Sequence, residues 1–190
     1  MSRFFWVRHG PTHAKSMVGW SDLPADLSDT AHLARLENAL PRDALVISSD
    51  LSRARATADA LQGPRMRLPD DPALREIHFG AWELKHWDNV DDPDRLRAFW
   101  DTPGDLAAPG GESWNAVLAR VNAAVARLIE AYPGRDIVAV SHFGAILTQV
   151  QMARQITAHQ AFAQKIDNLS LTELHCGPAG WHAARINHKT

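Results

Sequence analysis

Phe4-Phe5-Trp6-Val7-Arg8-His9-Gly10-Pro11-Thr12 is the stretch whose reading decides the fold. Its apolar run has the length and composition of a buried strand and stops at an Arg-His pair. Gly10 and Pro11 end the strand through their backbone limits, so Arg8 and His9 fall at its carboxyl end. In open α/β sheets that rim is where ligands bind. A guanidinium beside an imidazole that can be neutral suits an anion and a nitrogen nucleophile. A strand that simply ends in solvated polar residues would carry the same local sequence.

Two later runs repeat the pattern. Residues 44–50 (Ala44-Leu45-Val46-Ile47-Ser48-Ser49-Asp50) break at small polar residues, and a helix over 52–62 follows, with Ser49 or Asp50 as its cap and Gly63-Pro64 as its stop. Arg53 and Arg55 lie in the first turn of that helix, against the positive end of its dipole. That placement points to a bound anion or to surface decoration. Residues 136–142 form the third run, ending in His142-Phe143-Gly144. Helices are predicted over 30–40, with a capping stretch at 26–29, and over 112–132. In the latter, Trp114, Val117, Val121, Val125 and Leu128 make one apolar stripe. Strands alternating with helices specify α/β architecture with a largely parallel sheet. The crossovers bring Arg8-His9, Ser49 to Arg53, and His142 to one edge. Beyond them, helices over 145–155 and 159–166 precede two alternating segments, 170–176 and 181–186, that read as a hairpin at the sheet edge.

The chain has 190 residues, 45% of them hydrophobic, and a formal net charge of −2. That predicts one compact domain spanning 1–190. The charge makes no electrostatic case for nucleic acid or an anionic membrane, although arginine far outnumbers lysine and leaves room for local anion sites. Cys176 is the lone cysteine, so an intrachain disulfide and a thiolate metal cluster are excluded. The opening apolar run is too short for a signal peptide, and no segment approaches a membrane span. A soluble cytoplasmic domain is the expectation, with homo-oligomerisation left open. His9 and His13 are four apart, but Pro11 argues against a helix that would align them. No His-Glu-x-x-His motif occurs, so a metal site is not expected. Residues 65–69 suggest a short strand and 74–83 an irregular segment. Residues 84–111, with a short helix over 93–100, read as a mobile flap over the sheet rim, too small to bury a core of their own. Trp6, Trp114 and Trp181 fall in patterned elements; Trp20, Trp82, Trp87 and Trp100 fall in loops, where core or rim packing is favoured over cleft lining.

Four blocks, in order and spacing, resemble the histidine phosphatase superfamily: Arg8-His9-Gly10, Ser49-Asp50-Leu51-Ser52-Arg53-Ala54, Leu74-Arg75-Glu76-Ile77-His78-Phe79-Gly80-Ala81-Trp82-Glu83, and Val140-Ser141-His142. The resemblance implies a phosphoglycerate mutase-like fold, three-layered, with a mostly parallel sheet flanked by helices and a C-terminal edge hairpin. By position it implies His9 as the phosphorylated nucleophile, Arg8, Arg53 and His142 around the phosphoryl group, and Glu76 as proton donor. It implies a small phosphomonoester as partner and no cofactor.

The chemistry is consistent with those roles. Two arginine forks neutralise and orient the oxygens of a poor electrophile. His9 must attack as the neutral imidazole, with one ring nitrogen held by a backbone carbonyl such as that of Gly10. His142, if protonated, adds charge, and the leaving alkoxide needs an acid. A salt bridge to Arg75 or another cation is the structural alternative for Glu76, and a hydrogen-bonded core histidine that for His142; Glu83 is a second, weaker acid candidate. Thr12, Lys15, Trp20 and Phe143 are expected at the substrate.

Several positions depart from the family pattern. Pro11 stands for an acid, and Lys15 for an asparagine, where it either replaces a phosphate contact or points into solvent. Phe143 stands for the first of two glycines, and Leu84 for the glycine after Trp82-Glu83. Gly19-Trp20-Ser21-Asp22 and Phe79-Gly80-Ala81-Trp82-Glu83 look most like broad-specificity phosphatases and alpha-ribazole phosphatases. Hydrolysis of a phosphomonoester without a metal is therefore the expected activity. The alternatives are mutase-type transfer, disfavoured because 84–111 hold only Lys85, Arg95 and Arg97 among many acids, and a non-catalytic phospholigand-binding protein.

Overall fold

Alternate residues of the central strands enter opposite cores in a computed structural model that describes residues 1–190. The strands β1 (Ser2–Arg8), β2 (Leu45–Ser48), β3 (Met66–Arg67) and β4 (Asp136–Ser141) run parallel in the order β3-β2-β4-β1. β5 (Leu171–Gly177) pairs antiparallel with β1, and β6 (Gly180–His188) antiparallel with β5. Phe4, Trp6, Leu45, Ile47, Ile137 and Ala139 face a core shared with α4 (Trp114–Ala131) and α5 (Phe143–Arg154). Phe5, Val7, Val46, Val138 and Val140 face a smaller core with α1 (Thr30–Ala39) and α2 (Ser52–Leu61). This is the expected three-layer α/β arrangement, produced by period-two alternation across a sheet covered on both faces.

The strand ends lie level. Arg8 is opposite Ser141, Ser48 is opposite Val140, and the His9 amide extends the ladder by donating to Ser141 O at 3.1 Å. The chain turns from β4 straight into α5, so that helix begins two residues earlier than the sequence predicts, with His142 as its extended N-cap. At α2 neither Ser49 nor Asp50 caps the helix. Leu51 is the cap residue and makes no side-chain bond, and the Ser52 amide donates instead to Asp22 Oδ1 at 2.7 Å.

The excursion over 84–111 contains α3 (Pro93–Asp101), and it is tied into the larger core rather than lying free. Leu96 and Phe99 are buried, each worth about 2 kcal/mol of burial. Phe99 meets the Trp82 ring edge-on at 5.4 Å, and Trp100 meets Phe162 at 5.4 Å, in α6 (Ala158–Phe162). Leu84 adopts φ 61° with a half-exposed side chain, a left-handed conformation that costs a non-glycine residue about 1 kcal/mol. Trp82 and Trp114 are buried, whereas Trp87 is 57% exposed. No helix is long and apolar enough to cross a membrane.

Candidate active site

A cavity of about 130 Å³ opens at the carboxyl ends of β1 and β2, walled by Arg8, His9, Thr12, Ala14, Ser16, Val18, Arg53 and Glu76. His9 reaches it from the end of β1 and is itself buried. Its Nδ1 lies 2.6 Å from the carbonyl oxygen of Gly10, which places the proton there and leaves Nε2 with a free lone pair. Burial, with the charges of Arg53 and Arg8, pushes the imidazole down to about 3 against the opposing pull of that carbonyl. His9 is thus a neutral nitrogen base at neutral pH.

The two guanidinium groups are held by backbone carbonyls and by no carboxylate. Arg8 donates to Ile166 O at 2.7 Å and lies over the Phe143 ring at 5.4 Å, and its Nε is buried without a partner. Arg53, 1% exposed, donates from Nη1 to Ser21 O at 2.8 Å and from Nη2 to Gly19 O at 2.6 Å. Burial lowers the pKa of both, and Glu76 opposes that shift in each.

The loop that aims Arg53 is fixed by Glu83. That carboxylate accepts from the amides of Gly19 (3.1 Å), Trp20 (2.7 Å), Ser21 (3.2 Å) and Phe79 (3.0 Å), and from the Ser21 hydroxyl (2.6 Å). Burial alone would raise its pKa, but these donors outweigh burial and the net shift is downward. A Cβ at Gly19 would lie 2.1 Å from Ile77 O and 2.4 Å from Glu83 Oε1, so only glycine allows this approach. Glu83 is a loop anchor with its acceptor sites filled, not a proton donor.

His142 is fully buried, with its ring centroid 5.0 Å from that of His9. Its Nε2 lies 2.6 Å from Ser49 Oγ, while Nδ1 has no partner. Burial, then the neighbouring His9, Arg53, Arg120 and Arg8, hold its pKa well below 6.5. The charge expected from a protonated His142 is therefore absent, and the ring is a neutral hydrogen-bonding group.

Glu76 does not pair with Arg75, which is committed to both oxygens of Asp50 at 2.7 and 2.5 Å. Its Oε1 accepts instead from the Ile77 and Gly144 amides, both at 2.9 Å, at the start of α5. A Cβ at Gly144 would sit 2.4 Å from that oxygen. Gly144, the second residue after His142, is therefore the glycine that the carboxylate requires. The Glu76 carbonyl is pinned by Arg120 at 2.7 Å and by Trp20 Nε1 at 2.9 Å.

Of the expected substrate residues, Thr12 walls the cavity and Phe143 lies beneath Arg8. Lys15 is exposed and does not line the cavity. The Trp20 ring packs between Arg75 (4.7 Å) and His78 (4.5 Å), behind Glu76 and not on the cavity wall. No residue of 84–111 lines the cavity. Two contributors carried no sequence signal as site residues, and a third, Ser49, is expected at the rim as a cap. Thr57 Oγ1 accepts from the Gly10 amide at 3.0 Å, Asn168 Nδ2 donates to His9 O at 2.8 Å, and Ser49 binds His142.

A family model described as the histidine phosphatase superfamily (branch 1) matches residues 4–189. Three mycobacterial relatives match the whole chain at 28% identity, and the chain spans 54% of their length. The adenosylcobalamin/alpha-ribazole phosphatase of Salmonella typhimurium is 32% identical over 82% of this chain and 80% of its own. A probable phosphoglycerate mutase of Cronobacter sakazakii, GpmB, is 28% identical over 97% and 89%. Among solved structures, Bacillus stearothermophilus YhfR superposes with a TM-score of 0.91 at 26% identity, covering 100% of this chain and 98% of that one.

Proposed function

This chain belongs to the histidine phosphatase superfamily, and from that membership we propose that it is a metal-independent phosphomonoesterase working through a phosphohistidine on His9. One observation carries the reading: a single small cavity receives His9 with its Nδ1 committed to Gly10, both guanidinium groups and the Glu76 carboxylate. A phosphomonoester dianion sits between Arg8 and Arg53, whose charges offset its own as a metal ion would elsewhere. Nε2 of His9 attacks phosphorus. Glu76, carrying a proton into the step, delivers it to the leaving oxygen as the P–O bond breaks. The carboxylate then takes a proton from water, which attacks phospho-His9, releasing phosphate and restoring the imidazole. The unpartnered Arg8 Nε is a buried polar atom, on a residue that walls the cavity, that a phosphoryl oxygen would complete.

Mutase-type transfer is the second reading, favoured by the similarity to GpmB. A mutase must hold a bisphosphorylated species, and the cavity offers no cation beyond Arg8 and Arg53. Hydrolysis is tested with p-nitrophenyl phosphate in EDTA. Turnover is expected, with one phosphate bound covalently per enzyme in an acid-labile linkage and activity abolished in His9→Ala. Dependence on an added divalent ion, or activity surviving that substitution, rejects the assignment. With 3-phosphoglycerate and its bisphosphate, isomerisation outrunning hydrolysis selects the mutase.

A further inference from the structure

We propose that the enzyme selects phosphomonoesters whose alcohol carries no second anionic group, and discriminates against esters bearing a carboxylate or another phosphate. This deepens, and rests on, the phosphatase reading. The wall available to the leaving group comes from one irregular loop, bent at Lys15 and Ser16 and with His13 at φ 57°, from which Thr12, Ala14, Ser16 and Val18 line the cavity. The intervening residues do not face it. His13 binds Asp26 at 2.7 Å, Lys15 is exposed, and Met17 is buried in the larger core. The bends of this loop thus leave methyl groups and hydroxyls at the cavity and its lysine in solvent.

The cations of the Glu76 segment, of α4 and of the excursion are engaged elsewhere. Arg75 is locked to Asp50, and Arg120 to Glu112 at 2.7 Å and to the carbonyls of residues 73, 75 and 76. In the excursion, Lys85 pairs with Asp91, Arg97 with Asp94, and Arg95 donates to Ala107 O. The two cavity arginines are already matched by the two charges of a phosphoryl dianion, and Glu76 adds a third negative group when ionised. A carboxylate on the leaving alcohol thus meets a filled site with no surplus positive charge and a wall that offers it two neutral hydroxyls and no countercharge.

The test compares sn-glycerol 3-phosphate with 3-phosphoglycerate, which differ by a hydroxymethyl group against a carboxylate. The readout is kcat/KM for phosphate release, or Ki against p-nitrophenyl phosphate where turnover is slow. A preference of about tenfold or more for the glycerol ester is expected. Ser16→Arg, which plants a cation on the wall, should narrow or reverse the ratio, and Lys15→Met should leave it unchanged. Equal or better use of 3-phosphoglycerate by an enzyme that turns over p-nitrophenyl phosphate overturns this inference alone, as does collapse of the selectivity ratio in Lys15→Met. Absence of p-nitrophenyl phosphate turnover removes the phosphatase reading and this inference with it.

Discussion

The hydroxyl of Thr57, one turn along α2 from Arg53, accepts the amide N–H of Gly10 at 3.0 Å and donates to the Arg53 carbonyl at 2.7 Å. Gly10 is the residue whose carbonyl oxygen holds His9 Nδ1. A fully buried threonine therefore fixes the peptide that sets the tautomer of His9, the proposed nucleophile, and links it to the backbone of the arginine opposite. Thr57→Val keeps the shape and removes the hydroxyl, leaving the Gly10 amide buried and unpaired at about 1–3 kcal/mol. The expected result is a fall of about tenfold or more in the rate of His9 phosphorylation, measured by rapid quench, with Thr57→Ser restoring most of it. A valine variant that phosphorylates at the parent rate would show that the contact serves stability alone.

Glu83 acts at one remove from the chemistry, through the 19–21 loop that aims Arg53. Glu83→Gln replaces one oxygen by an amide nitrogen that cannot accept these bonds, so some of its five donors lose their partner and the fork of Arg53 loosens. The expected signature is a rise in KM of about tenfold, the scale of one or two lost hydrogen bonds to a charged acceptor. The dependence of rate on leaving-group pKa should not change. A steeper leaving-group dependence in Glu83→Gln would instead mark Glu83 as a proton donor.

Two buried neutral imidazoles make folding sensitive to acid. The folded-state pKa of His9 is about 3 and that of His142 is also far below 6.5, so below pH 6.5 the unfolded chain binds protons that the folded chain does not. Stability consequently falls as pH falls, by up to about 1.4 kcal/mol per pH unit for each group. Between about pH 6.5 and 5 the ordinary carboxylates are still ionised, so the slope there belongs to the histidines. Urea unfolding across that window should show it, and His9→Ala should flatten it by about one group's share. A flat profile in the parent protein would mean that the imidazoles are not held neutral.

Much of this arrangement was legible from residues 1–190 because its signals are local. An apolar run that breaks at polar residues marks a strand end, and three such ends on parallel strands must share an edge. That logic places Arg8, His9, Arg53 and His142 together without coordinates. Positions set by loop conformation were not legible. Lys15 and Ala14 are adjacent, and only the bends of the loop decide which one lines the cavity. Ser49 and Asp50 look like caps because capping is the commonest local use of their side chains. The competing long-range partners, His142 and Arg75, come from distant elements. The tie between 84–111 and the main core depends on ring packing among Trp82, Phe99, Trp100 and Phe162, which no periodicity encodes.

In the proposed mechanism hydrolysis turns on Glu76, and the two duties assigned to it separate by leaving group. p-Nitrophenolate departs without a proton, whereas an alkoxide does not. Glu76→Gln keeps an oxygen for the Ile77 and Gly144 amides but has no proton to give the leaving group and cannot take one from water. Loss of general-acid assistance costs about 10²–10⁴-fold, so phosphorylation of His9 by glycerol 3-phosphate should slow by that factor. With p-nitrophenyl phosphate, phosphorylation should stay fast and dephosphorylation should stall, giving a burst near one p-nitrophenolate per active site before a slow steady state. Stopped-flow absorbance reads both phases. Equal losses on the two esters, with no burst, would assign the acid to another group and leave Glu76 as a support for the start of α5.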